Sequence, residues 1–307
     1  MEEQLAREII ACLPKGRTRF DYFHNRYAAM LLTWKVGGGV PVAEIKKSDY
    51  AGLLDKPLIR QTLAKNGRGW LDAETLGLLW QEPSEPYLLT LSIWNGRPRW
   101  AQTTRMGVNL VLQMNFTYAH RKAFMRLVDP KHRNIHIRYG HPVRCSELDG
   151  RDTMAWARLD LDMQTGEALI EEIQNDWLRA VVDDYRFVQR RERLPWYYDC
   201  DKEAFTSYYN EVIQPHLKHW DEAMLAATLW FLREELGFHK IWYHDYETGR
   251  KIKRIGEAAP PFSIYTRLPK KFCFRPMSDS PEFLQHDRAF RKRYRKIASP
   301  RWQYLEL

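Results

Sequence analysis

The first 84 residues place apolar and polar positions at the three-to-four-residue spacing of amphipathic helices. The segments EQLAREIIACL and DYFHNRYAAMLLTW show this spacing, and the glycines of KVGGGVP interrupt it with a turn. Two more short helices are predicted within KPLIRQTLAKNGRGWLDAETLGLLW. We therefore predict a mostly helical portion over residues 1–84.

From residue 85 the period shortens to two, which is the spacing of half-buried strands. Strands are predicted at YLLTLSIW, NLVLQMNF, TMAWARLDLD and EALIEEIQ. The pair Asn95-Gly96 predicts a hairpin turn into RPRWAQTT, and a second hairpin turn is predicted at residues 163–166. A helix, AHRKAFMRLVDP, interrupts the series and stops at Pro130. Together these strands predict an antiparallel meander.

Helical periodicity returns after Trp196. In HWDEAMLAATLWFLREELG the leucines recur at spacings of four, three and four, and Gly237 is the predicted C-cap. KIWYHDY and KKFCF are predicted strands, separated by a turn or short helix in PPFSIYTRL. This order describes an α+β fold with helices flanking a mostly antiparallel sheet. We assign that core domain to residues 85–285 and a basic C-terminal tail to residues 286–307.

Composition predicts a cytoplasmic protein. The 307 residues contain no apolar run of about 18 residues, so no membrane contact is predicted. The N-terminal MEEQLAREII lacks the apolar region of a secretory signal. The four cysteines show no C-x-x-C spacing, which argues for reduced thiols and against a structural zinc site.

Positive charge is the compositional feature that bears most on function. The net charge is +9, and the densest block is RAFRKRYRKIASPR, residues 288–301, which also contains aromatic residues. Arginine and aromatic side chains together suit phosphate contact and base stacking, which indicates DNA or RNA as a partner. The alternative is an ordinary solvated helix. The residues predicted to contact nucleic acid are Arg291, Lys292, Arg293 and Arg295.

Six residues at the end of the second hairpin carry a resemblance. The run from Glu172 to Trp177, EIQNDW, is similar to the Glu-Ile-Gln-Ser-Asp-Trp motif of a domain in phage and mobile-element polyvalent proteins, with Asn175 replacing the serine. In that domain the motif closes a strand–turn–strand unit, and a helix ending in glycine before another strand follows. The resemblance covers roughly residues 150–255. It implies a phage, mobile-element or defence context rather than a particular chemistry.

The order of elements also resembles the second half of the GNAT acyltransferase fold, through ELGFHKIWYH and SIYTRLPKKFCF. In that family the strand at the position of residues 168–174 splays from its neighbour and acyl-CoA lies in the gap. A tyrosine at a position like Tyr265 protonates the departing thiolate. The family's glycine-containing pyrophosphate loop has no counterpart, because no glycine occurs between Asp176 and Trp220. The resemblance therefore implies a GNAT-like domain that does not use acetyl-CoA in the usual way.

The polar end of the strand EALIEEIQ is the main candidate site. Adjacent strand residues point to opposite faces, so Glu172 and Gln174 share a face without Glu171, and Asp176 joins them if the strand continues. One interpretation is a general base with two orienting groups. The other is structural: the side chains tie down loops, and Asp176 caps the following helix.

A second polar strand is predicted beside this one. Asn109 and Gln113 alternate onto one face of NLVLQMNF, where they would line a pocket for a polar ligand such as a nucleotide. Arg105 is the predicted charge partner of the cluster. The alternative is that this sheet face meets water.

His244 is a further candidate, because it lies near the end of a predicted strand beside Asp245. The histidines at 132, 136 and 141 fall in a predicted loop without an acidic ligand at suitable spacing, so no metal site is predicted. The sequence identifies no cofactor and leaves the oligomeric state open.

Two functions are compatible with these observations. One is a GNAT-like transferase-type domain of a phage, mobile-element or defence-related protein that acts on or near nucleic acid. The alternative is a non-enzymatic nucleic-acid-binding factor that uses the basic C-terminal segment. For the transferase, the predicted catalytic residues are Glu172, Tyr265 and His244, and the predicted ligand-binding residues are Arg105, Asn109, Gln113, Gln174 and Asp176.

Overall fold

The computed structural model describes residues 1–12, 18–67, 69–94, 102–131, 152–256 and 261–307. The strands in these ranges are β1 (Thr18–Tyr22), β2 (Val40–Pro41), β3 (Trp70–Leu71), β4 (Glu85–Trp94), β5 (Asn109–Asn115), β6 (Thr153–Asp162), β7 (Glu167–Gln174), β8 (Lys240–His244), β9 (Arg275–Met277) and β10 (Trp302–Glu306).

The helices in the same ranges are α1 (Glu3–Cys12), α2 (Arg26–Val36), α3 (Val42–Ile45), α4 (Pro57–Asn66), α5 (Ala73–Gly77), α6 (Tyr118–Leu127), α7 (Trp177–Arg191), α8 (Lys202–Ser207), α9 (Gln214–Leu217), α10 (Trp220–Trp230), α11 (Tyr246–Lys253), α12 (Phe262–Lys271), α13 (Glu282–Gln285) and α14 (Arg288–Tyr294). Short 3₁₀ turns occupy Ala51–Leu53 and Leu78–Gln81, and π-helical turns occupy Tyr208–Ile213 and Phe231–Glu235. None of the described helices is long and apolar enough to cross a membrane.

Among the described residues, a mostly antiparallel sheet of eight strands organises the α+β fold. Its strand order is β1-β4-β5-β6-β7-β8-β10-β9, and β2 and β3 form a separate small pair. The predicted meander is present as β4, β5, β6 and β7, each antiparallel to the next. β7 and β8 are parallel, so the chain has to cross over between them, and it does so through α7 to α10. The α+β prediction is confirmed.

The main hydrophobic core lies between one face of the sheet and α10. Residues such as Leu112, Ala157 and Ile170 point from the sheet into this core. Every residue of α10 from Glu222 to Leu229 is buried, because α2 and α12 pack on the helix as well as the sheet. The predicted C-cap Gly237 has a positive φ of 72°, which favours glycine at this position.

Two local predictions are wrong. Asp21 and Tyr22 were expected in a helix but lie in β1, which pairs with β4, and α2 begins only at Arg26. Pairing with the sheet outweighs local helix propensity there. The segment KKFCF is not a strand: its lysines end α12, and Cys273 has a left-handed φ of 62°, which turns the chain before β9 begins.

The C-terminal segment 286–307, predicted to be a basic tail, contributes α14 and the inner strand β10, which lies between β8 and β9. The predicted hairpin turn at residues 95–96 lies outside the described residues, as do most of RPRWAQTT and the histidines at 132, 136 and 141. The part of RPRWAQTT that is described, residues 102–104, is not a strand.

The two outermost strands differ in length and chemistry. β9 has three residues, one of which is Pro276. β1 has five residues and carries an exposed ion pair, in which Arg19 lies 2.8 Å from Asp21.

Candidate functional site

β7 and its parallel neighbour β8 separate partway along β7. The two strands pair over four residues, and the last pair is Ile170 with Tyr243. β7 continues for four more residues, Glu171–Gln174, without pairing to β8. The backbone N–H and C=O groups on that side of β7 therefore need hydrogen-bond partners other than β8. Lys253 of α11 supplies one, because its buried ammonium donates a 2.7 Å hydrogen bond to the carbonyl oxygen of Glu171.

A β-bulge lies at the point of separation. Ile170 pairs with Leu159 of β6 and Glu172 pairs with Arg158, so Glu171 is an extra residue in β7. The bulge brings the side chains of Glu171 and Glu172 to the same face of the sheet. The prediction that these glutamates point to opposite faces is therefore wrong, because strict alternation fails where a strand contains an extra residue.

The carboxylate of Glu171 joins three parts of the chain. Glu171 is wholly buried and accepts hydrogen bonds from the backbone N–H and the hydroxyl of Thr104, both at 2.8 Å. Nε2 of His244 lies 3.1 Å from the same carboxylate and 2.8 Å from the Thr104 hydroxyl. These contacts connect the loop before β5 to the separating ends of β7 and β8.

The protonation states in this cluster follow from burial and neighbouring charge. Burial raises the pKa of Glu171, but the hydrogen bond from His244 and the positive charges of Lys253 and Arg158 outweigh it and hold that pKa well below its usual range. Burial lowers the pKa of His244; the hydrogen bond to Glu171 opposes this shift, and Lys253 adds to it. At neutral pH we therefore assign an ionised Glu171 and a neutral His244 whose proton is on Nε2.

The geometry of the cluster differs from that of an activated nucleophile. In a catalytic triad of nucleophile, histidine and carboxylate, the nucleophile and the carboxylate contact opposite nitrogens of the histidine. Here Thr104 and Glu171 both contact Nε2 of His244. Nδ1 has no hydrogen-bond partner among the described residues and lies under Gly249, where an added Cβ would approach it to 3.3 Å. The geometry therefore favours a structural role for His244, and its predicted catalytic role stays a prediction.

Glu172 forms a second buried ion pair beside the first cluster. A guanidinium nitrogen of Arg158 lies 2.6 Å from its carboxylate, and the two side chains are 0% and 3% exposed. Arg158 also donates to the carbonyl oxygen of Gln102 at 3.0 Å and lies over the ring of Trp94. The side-chain amide of Gln174 contacts the other carboxylate oxygen of Glu172. Two of the predicted site residues are thus directly linked.

Arg105, the predicted charge partner of this cluster, binds a different carboxylate. Its guanidinium donates to both oxygens of Asp160, at 2.8 and 2.9 Å, and lies over the ring of Phe283. Carboxylates occur on both β6 and β7, and no local feature of the sequence shows which of them pairs with Arg105. Arg158 was not among the predicted site residues, although a charged residue at a buried position of TMAWARLDLD is itself a signal for a buried ion pair.

The register of the sheet aligns the predicted polar residues. Gln113, Trp156 and Gln174 form one row across β5, β6 and β7, next to the row that contains Glu172. Gln113 donates to the hydroxyl of Thr153 at 3.0 Å. Asn109 lies at the start of β5, is buried, and directs its amide to the carbonyl of the preceding residue. This face is buried rather than exposed to water.

Asp176 is buried at the N-cap position of α7, but its side chain does not cap that helix. The carboxylate instead lies 2.7 Å from the guanidinium of Arg179 and accepts a 3.3 Å hydrogen bond from the indole of Trp156. Asn175 accepts the backbone N–H of Arg179. Asp176 therefore ties the first turn of α7 to β6.

Tyr265 of α12 lies close to the separated strands. Its ring centroid is 5.3 Å from that of Tyr243, and its hydroxyl is buried without a hydrogen-bond partner among the described residues. Burial and then the negative charge of Glu172 raise the pKa of Tyr265 well above its usual value. The phenol therefore keeps its proton at neutral pH.

A basic cleft of about 880 Å³ opens next to the Glu171 cluster. The loop from residues 102 to 106, α11 and α14 form its sides, and Lys253 is shared between the cleft and the cluster. No acidic side chain occurs among the described lining residues. The basic side chains that line the cleft are Arg105, Lys251, Lys253, Arg254, Lys292, Arg293 and Lys296.

These basic side chains fall into two groups. Arg105 and Lys253 bind the protein groups given above, and Arg293 donates to the carbonyl oxygens of Ile252 at 2.8 Å and Thr104 at 2.5 Å. The other group is exposed and forms no ion pair with any described residue; it comprises Lys251, Arg254, Lys292 and Lys296. The positive charges of this second group are therefore not neutralised by any described carboxylate and are available to an anionic ligand.

Of the residues predicted to contact nucleic acid, Lys292 and Arg293 line the cleft, whereas Arg291 and Arg295 are exposed and do not line it. The spacing explains the division, because residues four apart share one side of α14 and of the turn that follows it, in which Arg295 and Lys296 lie. The sequence therefore predicted the basic block but not which of its side chains line the cleft and which lie outside it.

Comparison of the chain with protein-family models, with curated proteins and with solved structures gives no match.

Proposed function

We propose that the chain binds nucleic acid by holding phosphate groups in the basic cleft. The observation that carries this proposal is the convergence of four exposed basic side chains that form no ion pair with any described residue. Two come from α11 and the residue after it, and two from α14 and the turn after it, namely Lys251, Arg254, Lys292 and Lys296. Phosphate oxygens are the anions that a DNA or RNA strand presents repeatedly, and lysine and arginine that replace its counterions supply most of the affinity.

Two features favour a polymer over a small anion. The cleft is large enough, at about 880 Å³, for several phosphate or sugar groups. Arg291 and Arg295 extend the positive surface along α14 beyond the cleft, and the whole chain has a net charge of +9. Long-range attraction of this sign accelerates encounter with polyanions.

The test is fluorescence anisotropy with labelled single-stranded DNA, duplex DNA and RNA of one sequence over a series of salt concentrations. Wild-type affinity should fall steeply with salt. The variant Lys292→Glu/Lys296→Glu should bind more weakly, and its slope of log affinity against log salt should decrease by about 0.7–0.9 for each phosphate that the variant no longer neutralises.

The matched control is Arg291→Glu/Arg295→Glu, which makes the same change of charge on the α14 segment outside the cleft. All four side chains are exposed, so both variants should fold. Equal loss of affinity in both variants would show that binding depends on the overall charge of the protein rather than on the cleft. Absence of salt-dependent binding by the wild type would refute the proposal.

A second candidate is a GNAT-like transferase of phage, mobile-element or defence origin. Its support is the separation of β7 from β8 at Ile170, with Glu172 and Tyr265 beside the separated ends. Thermal-shift measurements against acyl-CoAs, nucleotides and aminoacyl donors test it, with Glu172→Gln and Tyr265→Phe as variants. Stabilisation of the wild type and both variants by the same amount, or of none of them, would count against this candidate.

A further inference from the structure

Two histidines and a glutamate from distant parts of the chain converge where α10 begins. His24 lies in the turn between β1 and α2, His219 precedes the first residue of α10, and Glu222 lies in its first turn. Their ligand atoms all lie within 4.8 Å of one another. The two histidines are 195 residues apart in the sequence, so the fold alone brings them together.

The separation of the imidazoles matches that of two ligands of one ion. Nδ1 of His24 and Nδ1 of His219 face each other at 3.3 Å. A tetrahedral ion with metal–nitrogen distances of about 2.0–2.1 Å holds two nitrogen ligands about 3.3 Å apart. Binding therefore requires little movement of either ring toward the other.

The third group is a buried carboxylate whose orientation is fixed. Glu222 is 4% exposed, and its two oxygens accept hydrogen bonds from the hydroxyl of Tyr22 at 3.2 Å and the ammonium of Lys271 at 2.5 Å. Such outer contacts orient metal-binding carboxylates. His24 is exposed, which leaves a path from solvent.

We propose that His24, His219 and Glu222 form a site for one divalent first-row transition-metal ion of the Zn²⁺ class, with water in the fourth position. Two nitrogen ligands and one carboxylate suit Zn²⁺, Co²⁺ or Ni²⁺ and disfavour Mg²⁺ and Ca²⁺, which select oxygen ligands. The inference is independent of nucleic-acid binding, because the three residues are not among those that line the basic cleft.

The test uses the full chain after treatment with a chelator. Titration with Co²⁺ should give the visible absorption of a tetrahedral ion, and calorimetry with Zn²⁺ should give one site per chain. Loss of an outer-shell partner of a metal site generally weakens metal affinity by roughly 10–100-fold. Tyr22→Phe should weaken Zn²⁺ affinity within that range, and His24→Ala and His219→Ala should each weaken it by more.

His286→Ala is the matched control for binding by surface histidines, because His286 is also exposed; it should leave the affinity unchanged. His24 is exposed, so His24→Ala should fold even if His219→Ala does not. Unchanged Zn²⁺ affinity in His24→Ala, or no saturable uptake by the wild type, would overturn the assignment.

Discussion

Removal of either partner of the buried Arg158–Glu172 pair is expected to destabilise the fold far more than removal of both. The perturbations are Arg158→Met, Glu172→Met and the double variant. Methionine matches the length of glutamate and follows the aliphatic stem of arginine without charge, so each single variant leaves one ionised group in a site where the two partners are 0% and 3% exposed.

The expected magnitude follows from burial. Two unit charges about 4 Å apart attract by about 4 kcal/mol at an effective dielectric constant of about 20. Loss of one partner of a buried pair generally costs about 3–5 kcal/mol, whereas replacement of both by apolar groups of similar volume is often close to neutral. We therefore expect each single variant to lose about 3–5 kcal/mol of unfolding free energy and the double variant to lose clearly less than either.

Urea denaturation of the four proteins measures the coupling energy as a double-mutant cycle. The matched control is the same residue pair at the surface of α1, Arg7 and Glu3, whose charged atoms lie 2.5 Å apart and whose side chains are 68% and 42% exposed. Its coupling should be at most about 1 kcal/mol. A loss of less than about 1 kcal/mol of unfolding free energy in each single variant would refute this expectation. It would show that the remaining charge is still compensated after its partner is removed.

Three further perturbations test other buried or packed positions of the fold. Gly249→Ala should lower the unfolding free energy by about 1–3 kcal/mol, because the added Cβ would lie 2.9 Å from Cβ of His244; an unchanged thermal midpoint would contradict this. Burial lowers the pKa of His216 to about 4, so the unfolded chain binds a proton at this residue more readily than the folded chain does. The unfolding free energy should therefore fall, by up to about 3 kcal/mol, as pH decreases from about 6.5 to about 4. His216→Gln should flatten that dependence in urea titrations, and an unaltered pH profile would exclude His216 as its source. Arg293→Ala should cost about 1.5–3 kcal/mol through its backbone hydrogen bonds, whereas the exposed Arg291→Ala should stay within about 0.5 kcal/mol; equal denaturation midpoints would contradict the difference.

Local alternation was sufficient to predict part of the fold. The meander from β4 to β7 follows from the period of two in those segments, and the turn before Glu167 follows from Gly166, which has a φ of 66°. The parallel pairing of β7 with β8 and the position of β10 inside the sheet were not accessible in the same way. Strand order depends on which edges meet after long crossovers, and no local pattern encodes it.

The candidate site was predicted in composition but not in arrangement. Glu172 and Gln174 do share a face and a direct contact, as the period of two predicts. The bulge that adds Glu171 to that face depends on the pairing with β6, which a single strand does not reveal. His24 and His219 gave no signal at all, because metal-ligand spacing is recognisable in a sequence only when the ligands are close together along it.

The outermost strands limit how this sheet can associate. A strand from another molecule adds to a sheet by hydrogen-bonding to a free edge, and the described sheet ends at β1 and β9. β9 offers only three residues, of which Pro276 lacks an N–H, and β1 carries the charged side chains of Arg19 and Asp21. Short, charged and proline-containing edges resist intermolecular strand pairing. We therefore expect no strand of another molecule to add to the described sheet in solution, and a binding partner to be held by side chains rather than by β-augmentation.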